Sequence, residues 1–270
     1  FSTHEEPGRE LGKFVFDVQL TQAYRQTKST KKLTDLVIET LLREPSTYEY
    51  AIGMLDVVFE KEEDAIYLQT KTLQFAQKHP SNQIFDELLL EVYLQQEKYK
   101  SALRQVKSLD KRNANQGSRV IQLAKICLAN EEYATAIDAY QYVVDIGLKA
   151  PQYKEAQTGL INALYLKTTR SIRPDKEEIG RLIAKIESYI ATEGLNYQTA
   201  YAQFRMAELY IFYSDAVDKG VAMLEDIIAI PRVRPSFLAE SKLLLGDGYL
   251  MLNNIWDAKL MYGQVDKQFK

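Results

Sequence analysis

Among the residues that could do chemistry, the most suggestive are the glycines in "LLLGDGYLMLNNIWDAKLMYGQV", residues 243–265, where GDG could pass for part of a phosphate-binding loop. A dinucleotide fingerprint needs GxGxxG between a strand and a helix start. Here the third glycine position holds Met251, and the apolar residues keep helical spacing through the whole stretch. A phosphate needs the free N–H groups of a helix N-terminus, which a helix interior lacks. The segment therefore predicts no nucleotide or other cofactor. Histidine is confined to His4 and His79, the latter before Pro80. With no HExxH, paired cysteines or EF-hand spacing beside them, no metal site is expected. Cys127 falls among apolar residues at helical spacing and reads as a buried structural thiol rather than a nucleophile. Asp and Glu number 37, but "EKEED", "QEK" and "DKEE" sit where helices end or turn. Such acids solvate and cap. They do not make the opposed pair of a glycosidase. No catalytic residue is expected, and the chain reads as a non-enzyme.

Composition narrows the alternatives. The formal charge is −3 and the isoelectric point about 5.7. A nucleic-acid partner, which calls for clustered Lys and Arg, is not expected. The short basic groups at Lys28, Lys31 and Lys32, and at Arg232 and Arg234, read as solvated helix ends and loops. One cysteine permits no intrachain disulfide. No run of 18 apolar residues predicts a transmembrane helix. The 18 tyrosines against one tryptophan point to many half-buried positions, apolar in body and polar at the tip. The first residue is Phe, so a processed chain or fragment is expected, and with no polar capping face after the last helix pair the chain is expected to continue beyond Lys270. A signal is not visible, and the location stays open between cytoplasm and bacterial cell envelope.

The elements that position these residues repeat. "IFDELLLEVYL" places Ile84, Phe85, Leu88, Leu89, Val92 and Tyr93 at helical spacing, and "SALRQVKSL" does the same with Ala102, Leu103, Val106 and Leu109. Between them lies the short polar turn "QQEKYK", so the pair is an α-hairpin. The next hairpin has "ANEEYA" in the same place, and Ala136 follows Ala102 by 34 residues. Stepping back by the same period reaches Leu68 and then Thr34. Two helices per period of about 34 residues indicate a helical-repeat solenoid. The GDG stretch now fits. Leu245, Gly246 and Tyr249 share a face of a first helix, and Ala258, Tyr262 and Val265 share one of a second. Small residues such as Gly246, Ala258, Ala102, Ala124 and Ala136 let paired helices approach, with larger neighbours filling the gap. Glycine inside a helix costs roughly 1 kcal/mol against alanine, and close contact is reason enough to keep it.

In residue type and spacing, Leu245, Gly246, Tyr249, Ala258 and Tyr262 resemble the tetratricopeptide repeat family; Lys242 departs from its initial Trp, and Val265 stands for a later Ala. The resemblance covers most of the chain and implies an all-α fold, a right-handed α-α superhelix of about seven helix pairs. The units run about 15–48, 49–82, 83–116, 117–150, 151–197, 198–238 and 239–270, a single domain preceded by a polar arm or partial cap at 1–14. In the first unit "KFVFDVQL" alternates like a strand, but "LTQAYRQ" continues a helical pattern, so helix is preferred. In the fifth, "RSIRPDKEE" breaks the spacing between helices at roughly 152–169 and 175–191, with Pro174 and the acids after it marking a helix start. In the sixth, Ala222 follows a lengthened turn, "FYSDAVDKG".

The resemblance also implies a binding surface. First helices of successive units line a concave groove. Its positions here are Tyr50, Gly53, Val57 and Glu60 in unit two, and Ile84, Glu87, Glu91 and Leu94 in unit three. Unit four contributes Ser118, Ile121, Lys125 and Leu128; unit six contributes Tyr201, Phe204, Glu208, Ile211 and Phe212. The last set lies on "AYAQFRMAELYIFY", a helix apolar nearly all round, which is either covered or exposes a patch to a partner. One subclass of the family clamps a C-terminal carboxylate with Lys and Asn at two of these positions. Here they hold Glu87 and Glu91, Ile121 and Lys125, Leu243 and Asp247, so no clamp is expected and acidic tails would be repelled. The function implied is a noncatalytic scaffold that docks a peptide or protein segment along the concave face, with Tyr201, Phe204 and Phe212 as anchors. An effector-binding sensor and an α-helical hydrolase are the alternatives. Neither the partner nor the oligomeric state follows from the sequence.

Overall fold

The computed structural model describes residues 18–171 and 174–268, and among them the regular structure is helical throughout. The arm at 1–14 and the alternating residues 14–17 lie outside the described residues. The chain divides into two compact units, 1–115 and 116–270. In the first, α1 (18–26) and α2 (Thr30–Arg43) form one hairpin, α3 (Tyr48–Met54) and α4 (Glu62–Lys78) a second, and α5 (Ile84–Gln95) and α6 (Tyr99–Asn113) a third. The second unit contains α7 (Ser118–Ala129), α8 (Tyr133–Ile146), α9 (Tyr153–Thr169), α10 (Lys176–Glu193), α11 (Ala200–Phe212), α12 (Val217–Ala229), α13 (Pro235–Met251) and α14 (Ile255–Gln268).

Side-chain contacts carry the repeat directly. In the first unit, partners in successive hairpins stand 31 or 32 residues apart: Arg25 with Asp56, Lys28 with Glu60, and Tyr67, whose hydroxyl donates to Asp35. In the second, Ser118 meets Gln152 at an offset of 34. Past the inserted residues of "RSIRPDKEE" the offset lengthens to 39 for Tyr201 with Asn162, and to 44 for Lys154 with Gln198. Equivalent positions of neighbouring hairpins thus lie side by side, and the insertion is absorbed without breaking the stack. Most of these pairs are exposed and contribute little stability; their value here is to mark register.

One turn closes several hairpins. Lys28, Glu97, Glu131 and Asn253 all have φ between 52° and 63°, and the residue after each donates its N–H back across the turn, Lys98 to Tyr93 and Glu132 to Cys127 at 2.8 Å. This is the six-to-one bond of a Schellman ending, which satisfies carbonyls left over by the first helix. A non-glycine residue there costs roughly 1 kcal/mol of backbone strain.

Interior packing follows the expected small-and-large pattern. Ala102, Ala124, Ala136 and Ala258 are fully buried. A Cβ on Gly246 would lie 2.6 Å from the Tyr262 ring, so the ring occupies the space a side chain would need. The Tyr262 hydroxyl donates to Asp247 at 2.7 Å, and burial with that bond raises its pKa to about 12. Tyr249 on the same helix donates to Glu225. Gly248 packs on Val221, 2.7 Å from where its Cβ would be. Both glycines of GDG therefore face neighbouring side chains in a helix interior and no helix start. In α12 the small residue against the first helix is Gly220, whose Cβ would meet Ile211 at 2.6 Å; Ala222 is exposed. The lengthened turn puts Gly220, not Ala222, at the crossing.

Two elements depart from the pattern. The first helix of unit two stops at Met54 and gives way to a single tighter turn, Asp56–Glu60, which buries Val57 and Val58. The first helix of the last pair starts at Pro235, one turn before the boundary at 239. Proline is preorganised for the first helical position, and its missing N–H costs nothing there. In the fifth unit, α9 and α10 match the expected helices. Asp175 caps α10 by accepting from the Glu177 N–H.

Candidate functional site

The face that matters is set by α11, the helix that is apolar nearly all round. Its apolar side is enclosed. Phe204 is 6% exposed and packs edge-on against Phe237 at 5.4 Å between ring centroids. Ile211 is 2% exposed, pressed on Gly220 and Gly248. Neither is available to a partner, which corrects the reading of both as groove residues. The physical reason is the extra turn of α13: Pro235 starts that helix early, and Phe237 in its first turn reaches over Phe204. Val57 and Ile121 are likewise core residues.

The less buried side of the helix includes one stripe of four residues, half-buried except at its end. Tyr201, Arg205, Glu208 and Phe212 follow at intervals of four, three and four, so they share one face of α11. Phe212, at its end, is 51% exposed. Arg205 is the centre of the stripe, and sequence reasoning missed it. Its guanidinium carbon lies 4.3 Å from the Tyr165 ring centroid and 4.9 Å from that of Tyr201. One terminal nitrogen donates to Glu208 at 2.6 Å, and the other donates to the Tyr201 hydroxyl at 2.5 Å. That hydroxyl in turn donates to Asn162 Oδ1 at 3.1 Å. Asn162 and Tyr165 come from α9, so a directed chain of hydrogen bonds joins two first helices. Arg205 Nε is buried and makes no hydrogen bond.

Electrostatics favour a charged Arg205 and a neutral Tyr165. Burial works against the Arg205 charge, but Glu208 outweighs it and the pKa rises. Burial, reinforced by Glu208, raises the Tyr165 pKa strongly and keeps the phenol neutral. Guanidinium stacked on aromatic faces is worth about 0.5–2 kcal/mol, more as water is excluded. A signal was present in the sequence: one arginine inside an otherwise apolar helix must find partners, and Tyr201 and Glu208 stand at the helical spacings that supply them.

The other expected contact residues do not converge on this cluster. Lys125 on α7 pairs with Glu155 on α9 at 2.5 Å, the same kind of link between first helices. Tyr50 belongs to the other compact unit, where its hydroxyl lies 3.4 Å from the Val18 carbonyl oxygen. The Cys127 thiol is fully buried, and burial pushes its pKa to about 12. Among the described residues no three His, Cys, Asp or Glu side chains gather as a metal site would require, and no helix is long and apolar enough to cross a membrane.

Within each compact unit the described residues form antiparallel helix pairs, all-α and tetratricopeptide-like in their small-residue crossings. No family model matches the chain, and no curated protein matches it. It is similar to the crystal structure of BtubC (BKLC) from P. vanneervenii, at 16% identity and a TM-score of 0.47, over 90% of this chain and 89% of that one. It is also similar to a tetratricopeptide repeat protein from Parabacteroides merdae ATCC 43184, at 12% identity and a TM-score of 0.41, over 95% and 93% of the two chains.

Proposed function

We propose that the chain is a noncatalytic docking scaffold and that a partner segment lies across the first helices α9 and α11. The observation that carries this reading is the Tyr201–Arg205–Glu208–Phe212 stripe. Tyrosine, phenylalanine and arginine are the residues enriched at interface centres. Here an arginine is held rigid between two tyrosine rings, so little side-chain entropy is lost when a partner covers it. Lys125 and Glu155 extend the polar rim toward α7. The partner chemistry that suits this surface is a protein segment with an apolar or aromatic residue for Phe212 and polar groups beside the Arg205–Glu208 pair.

The test is quantitative affinity capture from lysate of the source cells, with wild type and a Phe212→Ser/Lys125→Glu variant run side by side. Both positions are exposed, so the variant should stay folded by circular dichroism. The reading expects specific proteins retained by wild type and reduced at least tenfold by the variant. Equal retention by both would end the proposal for this face.

A further inference from the structure

The second unit has an open groove of about 300 Å³ between α8, α9 and α10. It lies where the repeat spacing breaks. Within this unit α10 packs less closely on α9 than α8 does on α7, α12 on α11 or α14 on α13, which leaves the groove open. Leu160 and Leu164 of α9, Ile137 of α8 and Leu182 of α10 give an apolar floor. Lys167, Arg181 and Lys185 stand at the rim, against one acid, Glu178. Arg181 is already paired with Glu177 at 3.1 Å. Lys167 and Lys185 form no ion pair or hydrogen bond among the described residues.

We propose that this groove binds a small amphiphilic carboxylate, its hydrocarbon body on the leucine floor and its anionic head against Lys167 and Lys185. Size argues for a small molecule over a protein segment. At roughly 30 Å³ per water-sized group, 300 Å³ holds about ten such groups, at the low end of small-ligand sites. Charge argues for the anion. The lining carries three cations and one acid, and two of the cations have no internal partner to release. The residues recur at helical spacing, 160, 164, 167 and 168 on α9, and 178, 181, 182 and 185 on α10, so rigid helices hold the lining and no loop does. This site is separate from the α11 stripe, and neither proposal depends on the other.

The probe is decanoate, kept below its micelle concentration and titrated into the full chain by calorimetry. Decyltrimethylammonium and 1-decanol are titrated in parallel. The expected result is saturable one-site binding of decanoate, with both uncharged and cationic probes at least tenfold weaker. Lys167→Glu/Lys185→Glu, exposed changes checked for folding by circular dichroism, should weaken decanoate at least tenfold. Leu164→Trp, which fills the floor, should do the same with the rim charges intact. No saturation by decanoate, or binding unchanged in both variants, overturns the proposal. So does binding of a Glu/Leu-rich peptide that decanoate fails to displace and the charge reversal abolishes, because the occupant would then be a protein segment.

Discussion

Replacing Gly246 by alanine separates helix propensity from helix packing. In an exposed helix interior, Gly→Ala stabilises by about 1 kcal/mol. At Gly246 the new Cβ would sit 2.6 and 2.8 Å from two atoms of the Tyr262 ring and 3.1 Å from a third. The ring must swing outward, which costs about 1–3 kcal/mol as an overpacked contact. Its hydroxyl then leaves Asp247, losing about 1.5–3 kcal/mol for a hydrogen bond to a charged group. Set against the propensity gain of about 1 kcal/mol, the net is a destabilisation of about 1.5–5 kcal/mol. Gly180 and Gly263 supply the internal control. Both are helical, and a Cβ on either would meet nothing within 4 Å, so alanine there should stabilise by about 0.5–1 kcal/mol. Urea denaturation followed at 222 nm measures all three. Tyr262→Ala made with Gly246→Ala should remove the penalty, a coupling of at least about 1 kcal/mol in a double-mutant cycle. If Gly246→Ala stabilised the chain as Gly263→Ala does, the packing argument would be refuted.

Other expectations follow from the same packing. Glu97→Gly should stabilise by about 0.5–1 kcal/mol, since the exposed Glu97 holds φ at 55° where glycine carries no strain; chemical denaturation reads it out. Phe204→Ala should cost about 3–5 kcal/mol because it empties the contact with Phe237, and the loss will show as a lowered unfolding midpoint before any change in partner binding can be assigned. The Cys127 thiol should resist thiol reagents in the native chain at pH 8 and react at once in denaturant. Because its folded pKa is raised from 9.0 to about 12, the stability linked to the neutral thiol is complete below pH 9 and is lost as pH climbs toward 12, measurable as a falling urea midpoint.

The sequence made the helices and their period legible because each hairpin repeats the same local physics: apolar spacing, a polar turn and a small residue at the crossing. Phe212 and Lys125 are exposed where the register put them on the surface, whereas Tyr201 and Glu208 are half-buried. Phe204 and Ile211 were misplaced because their surroundings depend on another hairpin. Whether Phe204 faces solvent is decided by where α13 begins, 31 residues later, and Pro235 carried that signal. Arg205 was overlooked because a repeat register counts positions and not partners. Its role rests on Tyr165 and Asn162, contributed by α9 across a lengthened offset that the broken period disguised. The groove beside α10 was illegible for the same reason: the sequence shows that residues were inserted, but not which neighbour moves away.

The most direct test of the docking account is site-specific photo-crosslinking in source cells. A photoreactive phenylalanine analogue would replace Phe212 on the α11 stripe or, as the comparison, Ala222 on the exposed side of α12. The account predicts a discrete crosslinked protein at position 212 that is absent at 222. A product of equal yield at both positions, or at 222 alone, would contradict a docking face on the first helices.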